Sequence, residues 1–147
     1  MADNRQYLRI AFTGVDYLLP GSAGFNIEKR EALELGSPGS PVAAWLESPH
    51  GRVPAYSLDA ELNLFPRNGW QRAVFLQGQP RVGIVADELQ LLAREDVRVE
   101  MFRPLGPSAT PSGHLFSGAW VRPGRPPVLM FEPRALADYL QRFGGEA

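Results

Sequence analysis

The chain has no cysteine, which excludes disulfides, thiolate nucleophiles and thiolate metal ligands together and fits a reducing compartment. No apolar run approaches the ~18 residues that a membrane-spanning helix needs. The segment Met1-Ala2-Asp3-Asn4-Arg5-Gln6 carries no apolar stretch of the kind a secretion signal has, so a soluble, unprocessed, cytoplasmic protein is expected. An excess of charge is missing too. With 15 basic and 16 acidic residues the formal charge is −1, which offers no field to attract a nucleic-acid backbone or an anionic membrane. Neither nucleic-acid binding nor membrane insertion is expected, and partners should be found by shape and local contacts. Lys29 is the one lysine, a bias given no mechanistic weight.

What the chain does have is apolar residues, turn residues and a repeat. Hydrophobic residues make up 44% of 147, enough to build a core for one compact unit, and 15 Gly and 14 Pro punctuate them. Ala44-Trp45, a polar turn and Gly51-Arg52-Val53-Pro54 recur as Ala119-Trp120, a turn and Gly124-Arg125-Pro126-Pro127. Before each copy stands a similar hairpin signal. Phe12-Thr13-Gly14 leads into Tyr17-Leu18-Leu19, and Phe75-Leu76-Gln77-Gly78 leads into Val82-Gly83-Ile84-Val85. Each half reads as hairpin, long connection, hairpin, the pattern of two small sheets facing each other over one core.

Alternation of apolar and polar residues predicts strands at Tyr7–Phe12 and Asp16–Leu19 around Gly14. Asn26–Leu35 fits either a short helix or an irregular strand. Gly36-Ser37-Pro38-Gly39-Ser40-Pro41 is a turn cluster, and Val42–Leu46 should pair with Val53–Leu58 across Ser48-Pro49-His50-Gly51. In the second half, hairpins are predicted at Ala73–Leu76 with Val82–Val85 across Gly78-Gln79-Pro80, and at His114–Val121 with Val128–Phe131. Asp87–Leu92 and Val97–Phe102 read as extended, and Pro104–Gly113 as an exposed loop. A helix opens at Glu132 and Pro133, presents Leu136, Tyr139, Leu140 and Phe143 on one face, and stops at Gly144-Gly145. Its stripe is expected to pack on a barrel.

Catalytic groupings are poorly supplied. Ser112 and His114 lack an orienting carboxylate and an oxyanion hole; His50 and His114 alone make a poor metal site. The pairs Asp87-Glu88 and Glu95-Asp96 lie in extended segments whose neighbours point to opposite faces. Gly36, Gly39 and Gly51 lack the basic residue and following helix of a phosphate loop. No enzymatic activity and no cofactor or metal is expected. Trp45 and Trp120, at matching places in the two halves, are expected to fill two cores.

In order and spacing, Tyr7-Leu8, Asp16-Tyr17-Leu18-Leu19, Ile27-Glu28, Gly51-Arg52-Val53-Pro54 with Leu58, Gly83-Ile84-Val85-Ala86-Asp87-Glu88-Leu89 and Phe131-Glu132-Pro133-Arg134-Ala135-Leu136 form a series. From Tyr7 to Leu140 this series resembles the CheW family of bacterial chemotaxis coupling proteins. The resemblance implies a mainly β fold, two five-stranded SH3-like β-barrels packed over a common core with a C-terminal helix. It implies one domain over residues 1–147, with sub-barrels near 14–70 and 71–131 and the N-terminal strand and C-terminal helix packing across. It also implies a non-enzymatic adaptor joining a chemoreceptor signalling tip to the regulatory domain of a chemotaxis histidine kinase, in the cytoplasm and recruited to membrane-associated arrays.

By the same resemblance Glu28, His50 and Arg52 are the protein-binding positions. Two segments depart from the family's pattern. The family's turn Asn-Leu-Arg-Gly is Ser48-Pro49-His50-Gly51 here, and its Val-Asp-Leu-Arg strand end is Tyr56-Ser57-Leu58-Asp59. The alternative is a small β-barrel that binds a ligand or partner outside chemotaxis.

Overall fold

A computed structural model describes residues 6–78, 81–103, 105–108 and 110–144. Gln79 and Pro80 of the second hairpin turn, Pro104 of the loop and Gly145 after the helix lie outside these residues. The chain opens with β1 (Gln6–Phe12) and β2 (Val15–Pro20), joined at Thr13-Gly14, where φ is 49° and 81°. Two positive φ values are what a tight hairpin turn needs. Glycine adopts them freely; Thr13 is held there by its backbone N–H, which donates to the Asp87 carboxylate at 3.0 Å.

Next come β3 (Phe25–Lys29), β4 (Glu34–Leu35), β5 (Ala44–Ser48) and β6 (Gly51–Tyr56). Residues 26–35, which periodicity left open, are therefore two extended pieces around one turn of 3-10 helix at Arg30–Ala32. The second half supplies β7 (Arg72–Leu76), β8 (Val82–Ala86), β9 (Glu88–Ala93), β10 (Val99–Met101), β11 (Phe116–Trp120) and β12 (Val128–Phe131). The helix α1 (Pro133–Gln141) ends the described chain. Glu132 caps it by accepting the Ala135 N–H at 2.7 Å.

The strands form two six-stranded sheets, ordered β3-β7-β8-β6-β5-β4 and β9-β1-β2-β12-β11-β10. Both must curl. The outermost strands β3 and β4 are joined by residues 30–33 alone, a reach of at most about 18 Å, and β9 and β10 by residues 94–98, at most about 22 Å. A flat six-stranded sheet would hold its edges about 24 Å apart. Each connection also contains a 3-10 turn, which shortens it further. The fold is thus mainly β, with each expected five-stranded barrel extended by a two- or three-residue edge strand, β4 or β10.

The two sheets repeat one plan, with parallel pairing at β6–β8 and β12–β2 and antiparallel pairing elsewhere. The two sheets do not divide the chain into consecutive halves. One sheet takes residues 25–86; the other takes 6–20 and 88–131. The reason is strand occupancy. Because β2 lies between β1 and β12, both its edges are used and the chain continues through Gly21–Ala23 into the other sheet. Similarly β8 lies between β7 and β6, and Asp87 alone carries the chain back. The initial hairpin of each half therefore sits in the sheet built by the other half.

Three apolar cores follow. The shared one joins Leu8, Ile10 and Phe12 of β1 to Val74 and Leu76 of β7, and α1 adds Leu136 and Leu140 as its stripe predicts. Trp70 and Phe75 fill the first barrel; Leu18, Val97, Val128 and Met130 fill the second. Trp45 and Trp120 are not equivalent, contrary to the repeat. Trp45 enters the shared core, whereas Trp120 is half-buried against the interior of the second barrel. The register explains it. Ala44 pairs with Ala55, which faces the first barrel's interior, but Ala119 pairs with Leu129, which packs on the shared core. One residue of phase reverses every side chain on a strand.

Candidate protein-binding surfaces

The β5–β6 turn is closed locally. The Ser48 hydroxyl accepts the His50 N–H at 3.2 Å and donates to the Gly51 carbonyl at 2.7 Å, while Gly51 takes φ 117°. This leaves His50 exposed at the tip. Arg52, two residues on, is turned back onto its own barrel: its guanidinium lies 4.2 Å from the Trp45 ring centroid and pairs with Glu34 at 3.5 Å. Glu28 is half-buried on the edge strand β3, opposite Ala73. With β7 and β8 between β3 and β6, Arg52 takes Glu34 as its carboxylate partner and not Glu28. The three sequence-predicted positions thus share a barrel without forming one constellation.

Polar contacts surround the crossover between the two sheets. The Asp87 carboxylate pairs with Arg67, accepts the Thr13 N–H, and its backbone N–H reaches the Ala11 carbonyl at 2.8 Å. Neighbouring Glu88 pairs instead with Arg9, which also binds Asp16 at 3.0 Å and Gln90 at 2.9 Å. The two adjacent carboxylates serve opposite faces, as extended backbone requires. Arg67 Nε donates to the buried Ser57 hydroxyl at 3.2 Å. That serine hydroxyl in turn donates to the Phe65 carbonyl at 2.6 Å.

A second tie runs through two phenols. The Tyr17 hydroxyl donates to the Ala60 carbonyl at 2.9 Å and the Tyr139 hydroxyl to the Leu62 carbonyl at 2.6 Å. Both grip the Asp59–Asn63 turn, whose Leu62 has φ 66°. Burial pushes the Tyr17 pKa above 10.0, with Asp59 adding to the rise. Burial likewise raises Tyr139, Arg142 opposing and Asp59 reinforcing it.

Two clefts open at the surface. One, of about 500 Å³, is charged and lies between β3 and β9, lined by Lys29, Glu31, Arg72, Asp87 and Glu88 among others. The other, of about 490 Å³, is largely apolar and lies between the 36–43 loop and the 64–70 segment. Among the described residues no group of three or more His, Cys, Asp or Glu is placed to hold a metal, and no helix is long and apolar enough to cross a membrane.

No protein-family description and no curated protein sequence matches the chain. A solved structure does: the crystal structure of the scaffolding protein TtCheW from Thermoanaerobacter tengcongensis superposes with a TM-score of 0.58, covering 90% of each chain at 12% identity. The chain has the CheW fold. At that identity the likeness is one of backbone, which agrees with the two curled sheets, exchanged hairpins and terminal helix described above. Within this CheW fold the Gly83–Leu89 segment is central to the architecture. Gly83 sits where a Cβ would lie 2.6 Å from Phe75 Cδ1, and Asp87 is the crossover between sheets. In the departing segment Tyr56-Ser57-Leu58-Asp59 the first three residues are buried and Asp59 is half-buried, so the packing around Ser57 and Arg67 is internal to the barrel. Nothing in the sequence marked that network; the Leu58–Leu64 bridge brings Ser57 and Arg67 together.

Proposed function

We propose that the chain is a non-enzymatic scaffold of a bacterial chemosensory system, coupling a chemoreceptor tip to the regulatory domain of a histidine kinase at the cytoplasmic face of a receptor array. The observation that supports this most is the two-barrel CheW fold, matched over 90% of both chains to a protein described as a scaffold. Two barrels with separate outward surfaces suit an adaptor, because each can hold a different partner without competing for one site. On this reading His50 at the exposed turn, Arg52 behind it and Glu28 on the β3 edge are contact positions. Since His50 stands where the resemblance places an arginine, and Arg52 is held by Trp45 and Glu34, the turn presents an imidazole in place of a permanent cation.

The test is a pull-down of the purified protein against a chemotaxis kinase regulatory domain and a receptor signalling tip, with His50→Arg in parallel. Binding to both partners is the expected result. Binding to the kinase domain alone, with receptor binding gained by His50→Arg, would identify a scaffold serving a different input. Binding to neither overturns the proposal and leaves the fold standing.

A further inference from the structure

We infer that the apolar groove of the first barrel docks an extended peptide segment of a partner protein, one that carries aliphatic side chains and a carboxylate. The groove measures about 490 Å³ and lies between the proline-punctuated 36–43 loop and the 64–70 segment. Leu35, Leu64 and Phe65 are exposed along it, Leu35 at 52% and Phe65 at 48%. An exposed phenylalanine on a loose loop would mean little, but this one is fixed. Its N–H donates to the Ser57 carbonyl at 2.8 Å and its carbonyl accepts the buried Ser57 hydroxyl. A ring on an immobilised backbone loses little further entropy when a partner covers it.

Charge selects the occupant. Among the described residues Arg30 and Arg67 are the only charged ones lining the groove, and none of these lining residues offers a carboxylate. Arg67 is already paired with Asp87, whereas Arg30 has no carboxylate within ion-pair distance among the described residues. Its Nη1 donates to the carbonyls of Asn68 at 2.7 Å and Trp70 at 3.0 Å, and the guanidinium stacks 4.5 Å from the Trp70 ring centroid. Held along one side, it keeps Nη2 and Nε for a second, bidentate partner, the geometry that a carboxylate fits. The extended form of the occupant follows from β4, an edge strand of two residues whose pairing is with β5 alone. Such an edge accepts another strand; Leu35 offers it an apolar side chain, and the carboxylate of neighbouring Glu34 is taken by Arg52.

This inference stands apart from the scaffold reading, and its test needs no chemotaxis component. The isotope-labelled full chain is titrated by NMR with an acetylated, amidated heptapeptide alternating leucine and glutamate, and with the same peptide bearing glutamine. The glutamate peptide should shift amides of residues 35–43 and 64–70, and the glutamine peptide should bind about tenfold or more weakly, the loss of one charge-assisted contact. Arg30→Gln should abolish that difference. Phe65→Ser, at a position 48% exposed, should weaken both peptides while the amide spectrum outside the groove stays unchanged. Equal affinity of the two peptides, shifts confined to another face, or no binding at all would overturn the proposal.

Discussion

Asp87, the one residue between β8 and β9, is ion-paired with Arg67, whose side chain is 12% exposed in the first barrel. The crossover between the sheets is therefore anchored to one barrel by charge and to the other by the hydrogen bond from Thr13. Removing the Asp87 charge strands the largely buried Arg67 guanidinium, whereas removing Arg67 leaves a carboxylate that is 45% exposed and still accepts the Thr13 N–H. Asp87→Asn and Arg67→Met should each lower unfolding free energy by about 1–3 kcal/mol, and the double variant should lose less than the sum. Urea titration of the four proteins measures the coupling. Strict additivity would show that the pair contributes nothing as a pair.

Gly83 illustrates a different constraint. An added Cβ would meet Phe75 Cδ1 at 2.6 Å and the Val74 carbonyl oxygen at 2.8 Å; the carbonyl is fixed by the pairing of β7 with β8 and the ring by its burial in the first barrel. Gly83→Ala should destabilise the fold by about 1–3 kcal/mol through overpacking. Combining it with Phe75→Leu should recover part of the loss if the ring is the obstacle. Thermal denaturation of the three variants is sufficient, and an unaffected melting temperature for Gly83→Ala would contradict the packing described.

The two hydrogen-bonded phenols, Tyr17 buried and Tyr139 half-buried, predict alkaline behaviour. In the folded state Tyr17 and Tyr139 have pKa values raised above 10.0, so the folded protein holds these protons more tightly than the unfolded chain. Their contribution is complete below the unfolded pKa and is lost as pH rises through the raised folded values, so stability should fall as the pH climbs past about 10. Tyr17→Phe and Tyr139→Phe should each cost about 1 kcal/mol at neutral pH, for the hydrogen bond lost, and should flatten the alkaline decline. Denaturant midpoints at neutral pH and on either side of pH 10 test the sign.

The two repeated tryptophans should behave unequally. Trp45 is 7% exposed within the shared core, and its replacement by alanine should cost about 3–5 kcal/mol. Trp120 is half-buried and covered by Arg122 at 5.0 Å, so Trp120→Ala should cost markedly less. Equal losses in calorimetry would restore the equivalence that the sequence repeat implied.

How much was legible follows from which interactions are local. The β1–β2 and β5–β6 hairpins and the Glu132-Pro133 helix start all lie where alternation and turn residues place them, because each is decided within a few residues. Residues 26–35 were ambiguous because the pairing partner of their first half, Arg72–Leu76, is distant in sequence. Arg52 was readable as a cation near a turn. That it folds back on Trp45 and Glu34 was not, since strand phase sets the direction of the side chain.

By itself the sequence determined a single β-rich unit of two similar halves with a terminal helix, since apolar alternation, turn residues and the repeat are local properties of the chain. Only the tertiary structure decided that the initial hairpins are exchanged between sheets, that Asp87 and Arg67 lock the crossover, and that Arg30 faces an apolar groove with part of its guanidinium unpaired. These depend on pairing between strands far apart in the chain, where edge occupancy and one residue of register settle which side chains meet.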